Sequence, residues 1–344
     1  MHIKNLIMAL QLGVLAIVLS ACADASDSSS QSKHKSLSEV KALPGSAPEP
    51  KQLKVPDKIE EVSGKVIAQV IPSQQKFKKG LYWKIERPGY KPSYLFGTMH
   101  SPHPDVIALT KVIKKEFDRS AILCTEIKTG LSMMKEMAKL RHLITYPRGE
   151  SLQKTLGKDL FDKISKQAKT LGMGVTALDR MRPWVVTVTL GQPKSTGALA
   201  LDLQLALNAS KQGKILCGLE KVHEQLAALA GASKENSIRD LRLTSMNFEK
   251  VRAMVDTLRT MYLSGDLLAM SNMIKNSVVP VPKVDLEKMI FRLVIRRNII
   301  MVNRMQPYLK KGNVFFAVGA LHLPGKGGLL RLLESQGYRL TRLH

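Results

Sequence analysis

Cysteine is scarce in this chain, acidic residues are outnumbered, and the apolar run near its start is too short for a comfortable membrane span. Three cysteines occur in 344 residues, at positions 22, 124 and 217. Cys124 and Cys217 lie in apolar runs, Ile122-Leu123-Cys124 and Ile215-Leu216-Cys217, and neither has the surroundings of a nucleophile. They read as two buried thiols in neighbouring strands, or as a disulfide in an oxidising compartment. The apolar run, Leu6 to Leu19, follows Lys4 and has the length of a signal h-region, not of a spanning helix. Asp and Glu total 28 against 53 Lys and Arg, a formal charge of +25. Six Lys and six acidic residues between Ala23 and Glu60 cancel, so the excess belongs to the folded part. Otherwise the composition is globular, with 44% hydrophobic and 24% charged residues.

Leu19-Ser20-Ala21-Cys22 resembles the lipobox of bacterial lipoproteins. The resemblance implies a signal peptide over residues 1–21 and a lipidated Cys22, with acyl chains such as palmitate as the anchor. Ala at position 23, where an inner-membrane lipoprotein has Asp, implies the outer membrane, with the periplasmic face expected. The alternative is a secretory signal beside an incidental cysteine. Residues 22–74, rich in Ser and Lys and then in Pro, read as a flexible tether, and residues 75–344 as the folded domain. In a cytosolic protein the charge would suggest nucleic acid. For an exported one no nucleic acid is expected, and the partners become anionic lipid, lipopolysaccharide phosphates or acidic peptides. A generally Lys-rich surface is the plainer account.

Within the domain, Val314-Phe315-Phe316-Ala317-Val318 reads as a strand buried on both faces, ending at Gly319 and followed by His322. A helix over Leu329–Gln336 and a strand over Tyr338–Leu343 come next. The same order occurs earlier: Ser93–Phe96, Gly97-Thr98-Met99-His100, a helical run Val106–Arg119, and the strand Ala121–Ile127. The expected fold is α/β (α+β), a mixed central sheet built from these N- and C-terminal strand–helix–strand units around a large helical insertion. Each unit puts Gly-x-x-His at the carboxyl end of its first strand, where open α/β sheets bind ligands.

Imidazole and carboxylate together make a two-His-one-carboxylate set for a divalent metal. His100, His322 and Glu126 are the candidate ligands, with Gly97 and Gly319 as the turn or close-approach glycines that deliver the histidines. A metal there would make water a nucleophile and polarise a carbonyl, with Glu126 or Glu220 assisting as base. Arg297 is placed to orient a substrate carboxylate or oxyanion, or else is a surface arginine on a basic helix. His103 is a candidate substrate-binding or proton-shuttling group, or a solvated loop histidine. Asp202, on an apolar helix face, reads as a buried polar anchor.

Gly97-Thr98-Met99-His100 and Val318-Gly319-Ala320-Leu321-His322-Leu323-Pro324-Gly325 resemble the paired signature of the TraB/GumN family, relatives of the Tiki metalloproteases. Arg297-Asn298 resembles the family's Arg-Asn step. Thr125-Glu126, Leu201-Asp202 and Gly218-Leu219-Glu220 with Gln225 fall where the family has comparable residues. The resemblance covers about 80–344 and is thin across 130–195. It implies a mixed α/β fold and metal-dependent hydrolase or peptidase activity on a peptide or cell-envelope substrate. It further implies manganese, cobalt or zinc on His100, His322 and Glu126, with Arg297 and Asn298 toward the substrate. Distant relatives that bind haem imply an alternative, a non-catalytic lipoprotein that sequesters a peptide or haem in the same cleft; a structural envelope protein is a third.

Overall fold

The apolar runs at the two ends of the domain come together in one mixed sheet. The computed structural model describes residues 50–61, 66–70, 75–192, 198–275 and 282–344, so the expected signal peptide and Cys22 lie outside the described residues. Its sheet comprises β1 (Tyr82–Glu86), β2 (Ser93–Thr98), β3 (Ile122–Ile127), β4 (Ile215–Glu220), β5 (Val314–Gly319) and β6 (Arg339–Arg342). The spatial order is β4-β3-β5-β2-β1-β6. β2, β5, β3 and β4 run parallel, while β1 pairs antiparallel with β2 and with β6. The mixed α/β architecture expected from the sequence is what forms. The two echoed units differ in one respect: β3 lies parallel to β2 across β5, whereas β6 closes the antiparallel edge beside β1.

β5 shows why the sheet holds. Val314, Phe315, Phe316, Ala317 and Val318 are all buried, and Phe315 packs edge-on against Phe117 with ring centroids 5.3 Å apart. The Val and Phe side chains each contribute about 1.5–3 kcal/mol on burial. Phe117 comes from α1 (Thr110–Arg119), which bridges β2 and β3. Beyond β3 the chain is helical: α2 (Leu131–Lys139), α3 (Lys158–Thr170), α4 (Pro183–Leu190) and α5 (Leu201–Lys211) precede β4. The stretch expected as a helix or helix pair over 152–171 is a pair, Leu152–Leu156 and α3, separated by Gly157. After β4 come α6 (Val222–Ala230), α7 (Lys234–Met246), α8 (Phe248–Leu263), α9 (Lys283–Ile290), α10 (Arg296–Lys311) and α11 (Leu329–Ser335). α9 runs into α10 through one π-helical turn, Phe291–Ile295.

Every residue of α4 is buried, and its Thr187 and Thr189 hydroxyls donate to the carbonyls of Pro183 and Val185 one turn back. That bond removes the polar cost that would keep threonine out of a dry helix. α4, α3 and α7 enclose a second apolar cluster that includes Phe161, Ile164, Val186 and Leu241. No helix of the described residues is long and apolar enough to cross a membrane.

Where it is described, the stretch expected as a free tether lies on the domain. Leu53 exchanges two hydrogen bonds with the Asn303 side chain, both 2.8 Å, and Val66 and Val70 join the main core. The Gly327 N–H donates to the Gln69 carbonyl, 2.8 Å. The proline-rich composition that suggested freedom describes backbone preference, and these side chains and carbonyls still find partners.

Cys124 and Cys217, opposite each other in β3 and β4, are joined as a disulfide with Cα atoms 4.5 Å apart. The bridge spans 93 residues of sequence, and closing so long a loop stabilises by about 4–5 kcal/mol in the chain-entropy account, with 2–5 kcal/mol typical of measured removals. Cys217→Ala is therefore expected to lose about 2–5 kcal/mol in urea unfolding, and reductant should bring the parent chain to the same midpoint. An unchanged midpoint in both cases would show that the bridge does not constrain the unfolded chain.

Glu224 in α6 accepts the Lys221 backbone N–H (2.9 Å) and holds Arg304 with both oxygens, at 2.6 and 2.7 Å. These bonds, led by Arg304, keep its pKa down at about 2 despite partial burial. A carboxylate depressed on folding stabilises above its ordinary pKa near 4.5, and that contribution fades as pH falls toward 2. The stability–pH slope between those values should flatten in Glu224→Gln, read from urea midpoints at stepped pH.

Candidate active site

The parallel strands all end on one edge of the sheet, and the chemistry-bearing side chains gather there. β3 presents Glu126, β4 ends at Glu220, β5 ends at Gly319 just before the short turn Ala320–His322, and His100 follows β2. α10 crosses this edge and contributes Arg297 and Asn298, both buried.

Arg297 is the centre of the arrangement. Its Nε donates to both Glu220 oxygens, at 2.9 and 3.1 Å, and its Nη2 donates to Glu220 at 2.6 Å and to Glu126 at 2.8 Å. Nη1 donates to the Leu293 carbonyl, 3.0 Å, inside the π-helical turn. A guanidinium at 6% exposure is tenable only with such pairing. Burial pushes the Glu220 carboxyl up, against the pull of Arg297. Burial works against the guanidinium too, but the two carboxylates outweigh it and hold Arg297 above its ordinary pKa.

Glu126 is the shared node. Its Oε2 accepts from Arg297 and from Gln225 Nε2 (2.7 Å), and its Oε1 accepts the Gly319 N–H (2.7 Å). Burial would raise its pKa, yet Arg297, His322, His100 and the Gly319 N–H together hold it at about 2, so the carboxylate is ionised. His322 Nε2 stands 3.8 Å from Glu126 Oε1.

Each of the two histidines has its Nδ1 beside a polar side chain, but by different contacts. The Asn298 amide spends its Nδ2 hydrogens on the carbonyls of Gly327 (2.7 Å) and His322 (3.3 Å), which turns Oδ1 toward His322 Nδ1 at 2.5 Å. Oδ1 can only accept, so the His322 proton sits on Nδ1 and Nε2 keeps its lone pair. Burial, aided by Arg297, lowers the His322 pKa to about 3 and keeps the ring neutral. On the other side, Asp202 accepts the Thr98 hydroxyl at 2.5 Å and lies 2.8 Å from His100 Nδ1. That second contact is off the hydrogen-bond line, leaving His100 Nδ1 and Asp202 Oδ2 buried without a hydrogen-bond partner. Burial opposes charge on His100, but Asp202 and then Glu126 outweigh it and raise its pKa.

Gly97 and Gly319, expected to turn the backbone or admit a ligand, have no positive φ. They make room instead. A Cβ on Gly97 would meet Leu323 Cδ1 at 2.6 Å, and one on Gly319 would lie 3.1 Å from Glu126 Oε1.

His103 stands apart from this cluster: its Nδ1 accepts the Asp105 N–H at 3.3 Å as the cap of the short helix Pro104–Ala108. Arg297 and Asn298, expected to face substrate, have their donors committed to carboxylates, backbone carbonyls and an imidazole. Tyr262 of α8, which donates to the Gly97 carbonyl at 2.9 Å and is fully buried, was not anticipated. It lies in an amphipathic run with no local mark of a site.

Among the described residues, no three His, Cys, Asp or Glu side chains are gathered closely enough to hold a metal ion. The donor chemistry nevertheless fits one. Both imidazoles have Nδ1 turned to an Asp or Asn partner, which is the outer-sphere arrangement that leaves Nε2 for a metal. Two carboxylates (Glu126, Glu220) share the Arg297 guanidinium and a third, Asp202, lies beside His100, a local concentration of negative charge that suits a divalent cation.

These features define a class: α/β proteins with two histidines and two arginine-bridged carboxylates at the carboxyl edge of a mixed sheet. The chain belongs to the TraB/PrgY/gumN family, whose model matches residues 81–342. It is similar to Metalloprotease TIKI2 of Danio rerio, 27% identical over 328 residues that cover 78% of this chain and 62% of that protein. Metalloprotease TIKI1 of Homo sapiens is likewise 27% identical, over 319 residues and the same shares of the two chains. Uncharacterized protein YbaP of Shigella flexneri is 22% identical over 258 residues, covering 73% of this chain and 90% of that one. The chain therefore spans about three-fifths of the length of the metalloproteases it resembles. No solved structure matches it.

Removing Arg297 would leave two carboxylates buried and unpaired. Arg297→Met is expected to cost about 3–5 kcal/mol in urea unfolding. Adding Glu220→Gln should return part of that loss; if it returns none, the ion-pair account of the cluster is wrong.

Proposed function

We propose that the chain is a metal-dependent hydrolase that cleaves peptide bonds, in a peptide or a cell-envelope substrate. His100, His322 and Glu126 would hold a divalent ion such as manganese, cobalt or zinc. The observation that carries the reading is the pair of imidazoles with Nδ1 turned to Asp202 and Asn298 and Nε2 left open, next to an ionised Glu126. The metalloprotease names of the TIKI1 and TIKI2 relatives point the same way.

When bound, a divalent ion acidifies water and polarises a carbonyl. The chain's own residues prepare for that step. Asn298 fixes the His322 tautomer so that its lone pair is available at neutral pH, and Asp202 orients His100. Glu126, ionised and with its side chain 12% exposed, can take a proton at Oε1. Glu220 is closed off by Arg297, which leaves Glu126 the more accessible carboxylate of the two. Arg297 positions Glu126 and does not itself reach substrate. The lipid anchor on Cys22 would hold the enzyme to the outer membrane, with the periplasm as its workplace and no nucleic acid among its partners.

The test is metal content and cleavage of a peptide library by the purified protein, with chelator and with added manganese. About one divalent ion per chain is expected, with weakening of about 10–100-fold in Asp202→Ala and Asn298→Ala and loss of the ion in His100→Ala and His322→Ala. Cleavage should disappear with chelator and return with metal. Tight haem binding with no metal and no cleavage would replace the hydrolase with a binding protein.

A further inference from the structure

Three cations are set four residues apart on the α9–α10 run: Lys288, Arg292 and Arg296. All three line one groove of about 580 Å³, whose wall also includes Glu220 and Arg297, so it adjoins the histidine site. Like charges at this spacing repel and are destabilising unless something neutralises them. Glu220 and Glu224 do not, being committed to Arg297 and Arg304, and Asp57 reaches Arg296 alone of the three. Arg292 is partly buried and donates only to the carbonyls of Ala228 (2.5 Å) and Gly231 (3.2 Å). Among the described residues, neither Arg292 nor Lys288 has a carboxylate at ion-pair distance. Phe291 and Ile300 add apolar surface between the charges.

The chain itself indicates what fits. Asp57, Lys58, Ile59 and Glu60 line the same groove. Arg296 Nε donates to the Pro56 carbonyl (3.2 Å), and its Nη2 lies 3.5 Å from Asp57 Oδ1. The groove therefore already engages peptide backbone and an aspartate.

We propose that this groove is a subsite for an acidic peptide segment, and that residues 57–60 are its intramolecular occupant, displaced when such a peptide binds. Lys288, Arg292 and Arg296 set the preference for acidic side chains. That the bound segment is a substrate rests on the peptidase reading above; the groove's preference for acids does not.

The test is fluorescence anisotropy on the full chain without added metal, using a labelled peptide that copies residues 55–61. A second peptide has Asn and Gln in place of its acids. The acidic peptide is expected to bind at least about tenfold more tightly than the neutral one, and to weaken as salt is raised. Lys288→Glu and Arg296→Glu should each weaken it about tenfold with unchanged circular dichroism, while Lys288→Arg retains binding. Asp57→Asn combined with Glu60→Gln should tighten binding of the added peptide by emptying the groove. Equal binding of the two peptides overturns the proposal, as does indifference to both charge reversals. Competition by inorganic phosphate or anionic vesicles as effective as the acidic peptide also overturns it, making the groove a general anion site. Acidic-peptide binding, with no cleavage of the peptide library once manganese is added, upholds the groove and removes the peptidase reading; metal-dependent cleavage with no acidic preference in binding does the reverse.

Discussion

A buried guanidinium must be matched by carboxylates, and the match between Arg297, Glu220 and Glu126 organises this protein. It ties the ends of β3 and β4 to α10 through donors on two nitrogens, Nε and Nη2, of one planar fork. Lysine, a point charge on a flexible stem, cannot reproduce that geometry. The next residue, Asn298, carries the constraint onward, because the helix that commits Arg297 to the carboxylates also sets the amide that orients His322. Glu126 closes the circuit by accepting the Gly319 N–H, which fixes the end of β5 beside its own carboxylate. The π-helical turn before α10 belongs to the same device, since its Leu293 carbonyl accepts from Arg297 Nη1.

The cluster is asymmetric between its two histidines. His322 is neutral, anchored by an amide and screened by burial, whereas His100 faces a carboxylate and its pKa is raised. Asp202 lies 2.8 Å from His100 Nδ1 in the second half of the site, without the hydrogen bond that Asn298 makes in the first. Its bond to Thr98 links β2 to the first turn of α5, so the helical insertion supplies a partner to the sheet edge. The helical insertion thus contributes to the site, with Tyr262 of α8 donating to the Gly97 carbonyl.

Much of this was legible from residues alone, for a physical reason. Strands bounded by glycine and followed by histidine announce the carboxyl edge of a sheet, so His100, His322 and Glu126 could be placed on one side before any coordinates. The family could also be recognised from those same motifs. Roles were harder to read than positions. Arg297 and Asn298 looked available to a substrate because sequence does not reveal that their partners arrive from strands 77 and 171 residues away, or from a loop beyond β5. His103 has the company of a site residue in the chain, yet its ring was taken by the nearest backbone N–H. Tyr262 left no trace because an aromatic in an amphipathic helix is ordinary core. The packing of residues 50–61 and 66–70 was missed because its partners, such as Asn303, lie in a distant helix.

One helix has a further consequence for how the protein reaches this state. α4 is Pro-Trp-Val-Val-Thr-Val-Thr-Leu, a string dominated by β-branched residues, and it is helical only because the surrounding helices enclose it on every side. Before those neighbours assemble, the same residues prefer an extended chain and carry no charge to keep copies apart. Newly made or heat-loosened molecules thus expose a short adhesive segment whose safe burial depends on α3 and α7 closing promptly. Aggregation during refolding would start in that hidden helix.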